Sequence, residues 1–285
     1  MSAKQLSIRG RAAYAYTGGK RFDASLPCVV FVHGALHDHS VWTLLARHFA
    51  HHGHGVLAVD LPGHGRSEGP ALDDVAALGD WLNDLIDAAG ITAQGAGSAG
   101  SAGGGVSLVG HSMGSLIALE AAARRPARVA RLVMVGTAWP MKVSDALLST
   151  ARERPRAAMS MVNAFSHSTT AGKPSYPGPG AWMHGGNLAL MARMQDGYVE
   201  HGNLFEHDFL VCDRYQGAPE AAATVTAAGI RTEMILGAKD AMTPPKAAKQ
   251  LVEMLGARVQ TLTAGHSLMT EAPEGMLNAL KAALG

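Results

Sequence analysis

Two cysteines among 285 residues, Cys28 and Cys212, are too few for a disulfide framework, and both sit in apolar surroundings. They read as buried free thiols, which points to a reducing, cytoplasmic setting. Charge is scarce too. Charged residues make up 16% of the chain, and the formal net charge is +1 with no long run of one sign. Nothing in that distribution attracts nucleic acid or an anionic membrane surface. No apolar stretch approaches the length of a membrane span, and the first nine residues lack the continuous apolar segment of a secretory signal. What the chain has in quantity is apolar side chains, at 47%. At this length they can fill a large core, either one α/β domain or a core with an insertion.

Histidine is abundant at 14, and His48, His51, His52 and His54 crowd one segment. No cysteine or carboxylate stands at ligand spacing from them, so no metal is expected, nor any other cofactor.

The short apolar, β-branched run at residues 28–32 reads as a buried strand, and residues 56–59, 106–109, 132–135, 230–236 and 259–262 read as further strands. Helical periodicity fills residues 41–51, 72–88, the stretch after Ser112, 245–255 and 273–284. The alternation predicts the α/β class, with a mostly parallel, doubly wound sheet covered on both faces. Two segments interrupt it. Residues 95–105 are only glycine, alanine and serine, and read as an inert surface insertion. Residues 139–217 carry helical patterns at 145–154, 156–165, 186–195 and 203–215, a proline- and glycine-rich loop at 173–180, and no convincing strand. The expected organisation is therefore a core of residues 1–138 and 218–285 with a helical cap, residues 139–217, inserted between core strands.

The chemistry centres on Gly110-His111-Ser112-Met113-Gly114, which fits G-x-S-x-G between a strand pattern and a helix pattern. A serine on so sharp a turn is exposed and available as a nucleophile. It needs a base, and the base needs a carboxylate. Asp240 follows the strand pattern ending at Leu236, and His266 follows the one ending at Leu262. Sites in open α/β sheets form at such carboxyl ends. Asp240 would fix the imidazole tautomer, and His266 would deprotonate Ser112 and later protonate the leaving group. Asp240 also suits a helix cap, and His266 an ordinary turn. Asp145 and Asp213 are weaker acid candidates. Backbone N–H groups of Met113 and Ala35 are the expected oxyanion donors. His33 reads as a structural residue holding that loop.

These residues together resemble the α/β-hydrolase-fold superfamily, in a serine esterase-like form with a helical lid. His33-Gly34 with Trp42 is similar to the family's oxyanion loop, and residues 60–67 (Asp-Leu-Pro-Gly-His-Gly-Arg-Ser) to its Asp-x-Pro-Gly-His-Gly-x-Ser turn. Gly237-Ala238-Lys239-Asp240 is similar to its acid loop, and Gly265-His266 to its histidine loop. The likeness runs from about residue 14 to 284 and is weakest in the cap. Ser112 at the nucleophile position departs from dehalogenases and epoxide hydrolases of this fold, which use aspartate. His33-Gly34-Ala35-Leu36 departs from lipases with a His-Gly-Gly-Gly loop.

The resemblance implies hydrolysis of small to medium, largely apolar carboxylic esters through an acyl-enzyme. Alternatives on the same triad are hydrolysis of a C–C bond in a vinylogous ketone and cofactor-free perhydrolysis. A different class is a small-molecule receptor with vestigial hydrolysis. Leu36, His37, Trp139, His184 and Phe205 are the expected pocket walls, and most of the cap's methionines the expected cap core. The expected partner is a small-molecule ester, with no nucleic acid or membrane, and the chain is expected to be a monomer or homodimer.

Overall fold

The computed structural model describes residues 3–92, 105–168 and 183–285. Most of the glycine-rich segment at 95–105, and the loop at 173–180, lie outside the described residues. In chain order the elements are β1 (Ala3–Ile8), β2 (Arg11–Tyr16), β3 (Cys28–Val32), α1 (Thr43–His51), β4 (Gly55–Val59) and α2 (Val75–Ala88). Next come β5 (Val106–His111), α3 (Met113–Arg124), β6 (Val129–Val135), α4 (Asp145–Glu153), α5 (Pro155–Ser166), α6 (Met183–Gly197) and α7 (Leu204–Arg214). The chain ends with α8 (Ala218–Ala227), β7 (Arg231–Gly237), α9 (Lys249–Leu255), β8 (Arg258–Leu262), α10 (Leu268–Glu271) and α11 (Pro273–Leu284).

The strands form one eight-stranded sheet in the order β1-β2-β4-β3-β5-β6-β7-β8. β3 to β8 are parallel, and β1 and β2 add antiparallel at one edge. Along β3, Cys28, Val30 and Val32 pack into the core beneath α2, α3, α8 and α9, while Val29 and Phe31 pack beneath α1 and α11. Alternate residues face opposite ways, so a strand covered on both faces needs an unbroken apolar run. That is why β3, β4 and β5 stand out in the sequence, whereas β8, at the sheet edge, is exposed or half-buried throughout.

Two elements do not stand out. The β1–β2 hairpin turns through Arg9 and Gly10, both at positive φ (51° and 82°), the geometry of a tight two-residue hairpin turn. α8 is an alanine-rich helix that opens with Pro219 and packs on α3.

α4 to α7 lie between β6 and α8 and gather their own apolar cluster, which includes Met159, Met191, Met194 and Phe205. The cluster is completed by Leu36 and Ala71, contributed by loops after β3 and β4. No helix among the described residues is long and apolar enough to cross a membrane.

Candidate active site

Ser112 joins β5 to α3 at φ 51°, ψ −120°. Such a conformation costs a residue with a side chain about 1–3 kcal/mol and is found mostly where function requires it. A Cβ on Gly110 would lie 2.7 Å from Ser115 Cα, and one on Gly114 would lie 2.9 Å from the Val32 carbonyl carbon. Strand and helix therefore cross at a distance only glycine permits. The Ser112 N–H donates to the Val135 carbonyl of β6 (2.9 Å), which fixes the turn.

Asp240, after β7, and His266, after β8, meet: His266 Nδ1 donates to Asp240 Oδ2 at 2.8 Å, with both residues buried. Asp240 Oδ1 accepts the N–H groups of Met242 and Thr243, both at 2.8 Å. Thr243 Oγ1 donates to Asp240 Oδ2 at 2.8 Å and lies 3.1 Å from His266 Nδ1. Asp240 thus caps its own turn and orients the histidine at once. Burial pushes its pKa up, but the His266 charge and the hydrogen bonds from His266 and Thr243 outweigh that and hold it below the usual carboxylate value.

Ser112, His266 and Ala35 open on one cavity of about 280 Å³, walled mainly by apolar side chains such as Met141, Leu147, Phe165 and Phe209. His266 Nε2 makes no hydrogen bond among the described residues. The Ala35 and Met113 N–H groups likewise make no backbone hydrogen bond there. Gly34 lets this loop press against the nucleophile turn, since a Cβ on it would lie 3.1 Å from both Ser112 Cβ and His111 Nδ1.

The expected wall residues are placed unevenly. His37 lines the cavity; Leu36, Trp139, His184 and Phe205 do not. Leu36, at φ 54°, turns its side chain into the apolar cluster of α4 to α7. Phe205 is buried beneath Phe209, stacked at 4.6 Å, so Phe209 forms the wall in its place. Trp139 packs against the main core, and His184 lies beside His167 at 4.6 Å. Of the weaker acid candidates, Asp213 accepts from the Val143 N–H at 3.0 Å, holding the entry to α4.

His33 Nδ1 donates to the Gly34 carbonyl (2.8 Å), and its Nε2 accepts from the Leu61 N–H (3.0 Å). Both nitrogens are therefore spent in the neutral form. Burial, and then the His64 charge, push the ring's pKa down to about 4. Asp38, His39 and Asp60 could bring three metal-type ligand atoms within 4.8 Å of one another. Their carboxylate oxygens already accept from Ser40, Arg193, His39 and Arg66, so the cluster serves as a loop anchor.

Thr243 and Asp208 of α7 have no counterpart among the residues singled out from the sequence; Asp208 forms a second buried pair at 2.9 Å with His64, known there only as part of the 60–67 turn. Thr243 stands three residues past Asp240, where a turn hydroxyl is a usable signal. Asp208 lies 172 positions from the loop residue it binds, Leu36, and no local pattern marks it.

A doubly wound sheet with a serine turn after a central strand and acid and histidine loops after later strands defines a hydrolase fold class. Residues 29–279 match the family model described as the alpha/beta hydrolase family, and the chain belongs to that family. Its fold is shared with an alpha/beta hydrolase, MGS-M2, from a Medee basin deep-sea metagenome library (TM-score 0.78, 19% identity, 99% of this chain and 97% of that one). It is also shared with an esterase from Exiguobacterium antarcticum (TM-score 0.75, 18% identity, 99% of each chain) and an enol-lactonase from Burkholderia xenovorans (TM-score 0.75, 20% identity, 99% of each chain). Among curated relatives, a lipase of Mycobacterium tuberculosis, LipV, is 33% identical over 138 residues, 46% of this chain and 48% of that protein. An Acinetobacter baylyi (E)-2-((N-methylformamido)methylene)succinate hydrolase is 32% identical over 108 residues, 38% of this chain and 36% of that protein. The chain thus spans between 29% and 48% of the length of the curated relatives it matches.

Proposed function

We propose that this protein is a serine hydrolase that cleaves carboxylic esters of small, largely apolar substrates through an acyl-enzyme on Ser112. The observation that carries the reading is the His266–Asp240 hydrogen bond (2.8 Å) beside a strained Ser112 on the same apolar cavity. Asp240 holds the Nδ1–H tautomer, leaving Nε2 to take the Ser112 proton as Oγ attacks the ester carbonyl. The developing oxyanion is met by the Ala35 and Met113 N–H groups, which carry no competing backbone hydrogen bond among the described residues. His266 then protonates the departing alkoxide, and water repeats the sequence to release the acid. Residues 139–217 act as the cap that keeps the cavity dry.

Size and polarity narrow the substrate. A cavity of about 280 Å³ lies at the low end of ligand pockets, which favours short acyl groups. Among the described lining residues Lys142 is the sole lysine or arginine, and its ammonium is held by the Asp213 carbonyl (3.0 Å) and carboxylate (3.5 Å). A carboxylated dienone, the substrate type of C–C hydrolysis, would find no unspent lysine or arginine there. The esterase, lactonase and lipase names among the relatives agree with an ester substrate.

The test is a panel of p-nitrophenyl esters of graded acyl length on wild type and Ser112→Ala. Turnover should peak at short acyl chains and fall in the variant by a factor on the order of 10⁶. Undiminished hydrolysis by a folded Ser112→Ala protein would sink the reading.

A further inference from the structure

Asp208 is a carboxylate on α7, outside the cavity wall, and 2% exposed. Its Oδ2 accepts two hydrogen bonds, from the Leu36 N–H at 2.8 Å and from His64 Nε2 at 2.9 Å. The other nitrogen of His64 lies 3.1 Å from the Pro62 carbonyl, which only accepts. Both ring nitrogens must therefore donate, and His64 is an imidazolium paired with the Asp208 carboxylate. That pair fixes Asp208 in place, leaving it one use on the loop after β3: holding the Leu36 N–H.

Leu36 needs holding. It is one of three residues other than glycine at positive φ among those described, the others being Ser112 and the hairpin residue Arg9. A leucine at φ 54° drifts back toward the β or right-handed region unless its neighbours over-determine it. The neighbour on its N-terminal side is Ala35, whose N–H would receive the oxyanion.

We propose that Asp208 is a positioning residue for the oxyanion loop: its hydrogen bond to Leu36 keeps the Ala35 N–H free at the cavity wall. Docking of the helical cap and assembly of the oxyanion site are then one event. The inference rests on the ester-hydrolase reading above. A second contact makes the same link on the other side of the cavity. The Ser166 carbonyl at the end of α5 accepts from both His266 N–H (2.8 Å) and Ser267 N–H (3.0 Å). A helix's last carbonyls lack partners within the helix, and here the histidine loop supplies them. The cap helices thus hold the loop of the base at one end and the loop of the oxyanion donor at the other.

The experiment compares wild type, Asp208→Ala and Asp208→Asn below their melting temperatures. Three quantities are read: kcat and KM for p-nitrophenyl butyrate, Ki for an alkyl trifluoromethyl ketone, and Kd for butyrate, the product acid. Ser112 Oγ adds to the ketone carbonyl, its proton passes to His266, and the adduct oxyanion occupies the Ala35–Met113 site. In Asp208→Ala, kcat should fall by a factor on the order of 10², as when an oxyanion donor is lost. The ketone's Ki should rise in parallel, while KM and the butyrate Kd stay within about threefold, since ground-state binding does not use the donor. Asp208→Asn keeps an amide oxygen able to accept from Leu36 and should recover most of kcat. Unchanged kcat and Ki in a folded Asp208→Ala protein overturn the inference, as do equal rises in KM and the butyrate Kd with kcat retained. Should Asp208→Ala not fold, Asp208→Glu decides by the same criteria, because it keeps the charge and shifts the oxygens by one methylene. Loss of fold in both makes Asp208 a folding element only and overturns the inference. Ser112→Ala, run alongside, separates this failure from that of the hydrolase reading: it abolishes turnover if the reading holds, whatever Asp208 does.

Discussion

Among the described residues, two buried histidine–aspartate pairs are of nearly equal length, His266–Asp240 at 2.8 Å and His64–Asp208 at 2.9 Å. They differ in the second ring nitrogen. His266 meets its carboxylate through Nδ1, its Nε2 makes no hydrogen bond among the described residues, and the residue lines the cavity that also holds Ser112. His64 meets its carboxylate through Nε2 and spends Nδ1 on the Pro62 carbonyl. The first ring can pass a proton on; the second is held at both ends as a cation. A buried histidine–aspartate pair therefore says little by itself, and whether the remaining nitrogen is spent separates the proposed base from a clamp.

The largest way to sharpen that contrast is Asp240→Asn. An amide can stabilise the wrong imidazole tautomer, and kcat for a short ester should drop about 10⁴-fold with the fold retained. Steady-state kinetics beside a melting curve checks it, and a drop below tenfold would place both pairs in the same structural category.

Next in size is His64→Gln, which leaves Asp208 buried beside a neutral partner. Removing one member of such a pair costs about 3–5 kcal/mol, read from urea unfolding. The loss should depend on pH from both sides. Burial pushes the His64 pKa down, but Asp208 more than offsets this, so it stands above the ordinary 6.5. The His64 contribution is complete below pH 6.5 and fades as pH rises through the raised value. Burial would raise the Asp208 pKa, yet the His64 charge, the nearby His207 ring (3.5 Å) and the hydrogen bonds from His64 and Leu36 hold it far below 3.8. Its contribution is complete above pH 3.8 and fades as pH falls toward that lower value. The stability gap between wild type and variant should be widest from about pH 4 to 6.5. A gap independent of pH would show that the pair is not ionic.

The smallest effect belongs to Thr243→Val, which removes the Oγ1–H bond to Asp240 (2.8 Å). A single hydrogen bond of this kind is worth about 1 kcal/mol, so kcat should fall roughly fivefold. A change beyond about a hundredfold would mean that the threonine, 3.1 Å from His266 Nδ1, takes part in the proton's path.

β3, β4 and β5 were legible because burial on both faces demands continuous apolar runs such as Cys28–Val32. The β1–β2 hairpin was not. Ala12, Ala13 and Ala15 are poor strand formers, and Arg9-Gly10 is not the usual hairpin dipeptide. Ser112, Asp240 and His266 could be picked out because each stands in a short loop after a strand, where chain position fixes spatial position. The cavity wall could not. Whether Phe205 or Phe209 faces the cavity depends on the rotation of α7 about its axis, which packing against Met191 and Leu36 decides. Asp208 was invisible for the same reason: its partners lie 144 and 172 positions away in the chain.

Leu36 belongs to two units at once. Its main chain is part of the loop beside the nucleophile, and its side chain is a fully buried member of the cap cluster. The cap proposed for residues 139–217 is therefore not a detachable module. A cap grafted from a relative would have to supply both a pocket for this leucine and an acceptor for its N–H. Grafts should succeed or fail on those two points more than on the helices' overall likeness. Exchange of the region is constrained at Leu36 on one side and, on the other, at His266 and Ser267, whose N–H groups need the acceptor that Ser166 supplies.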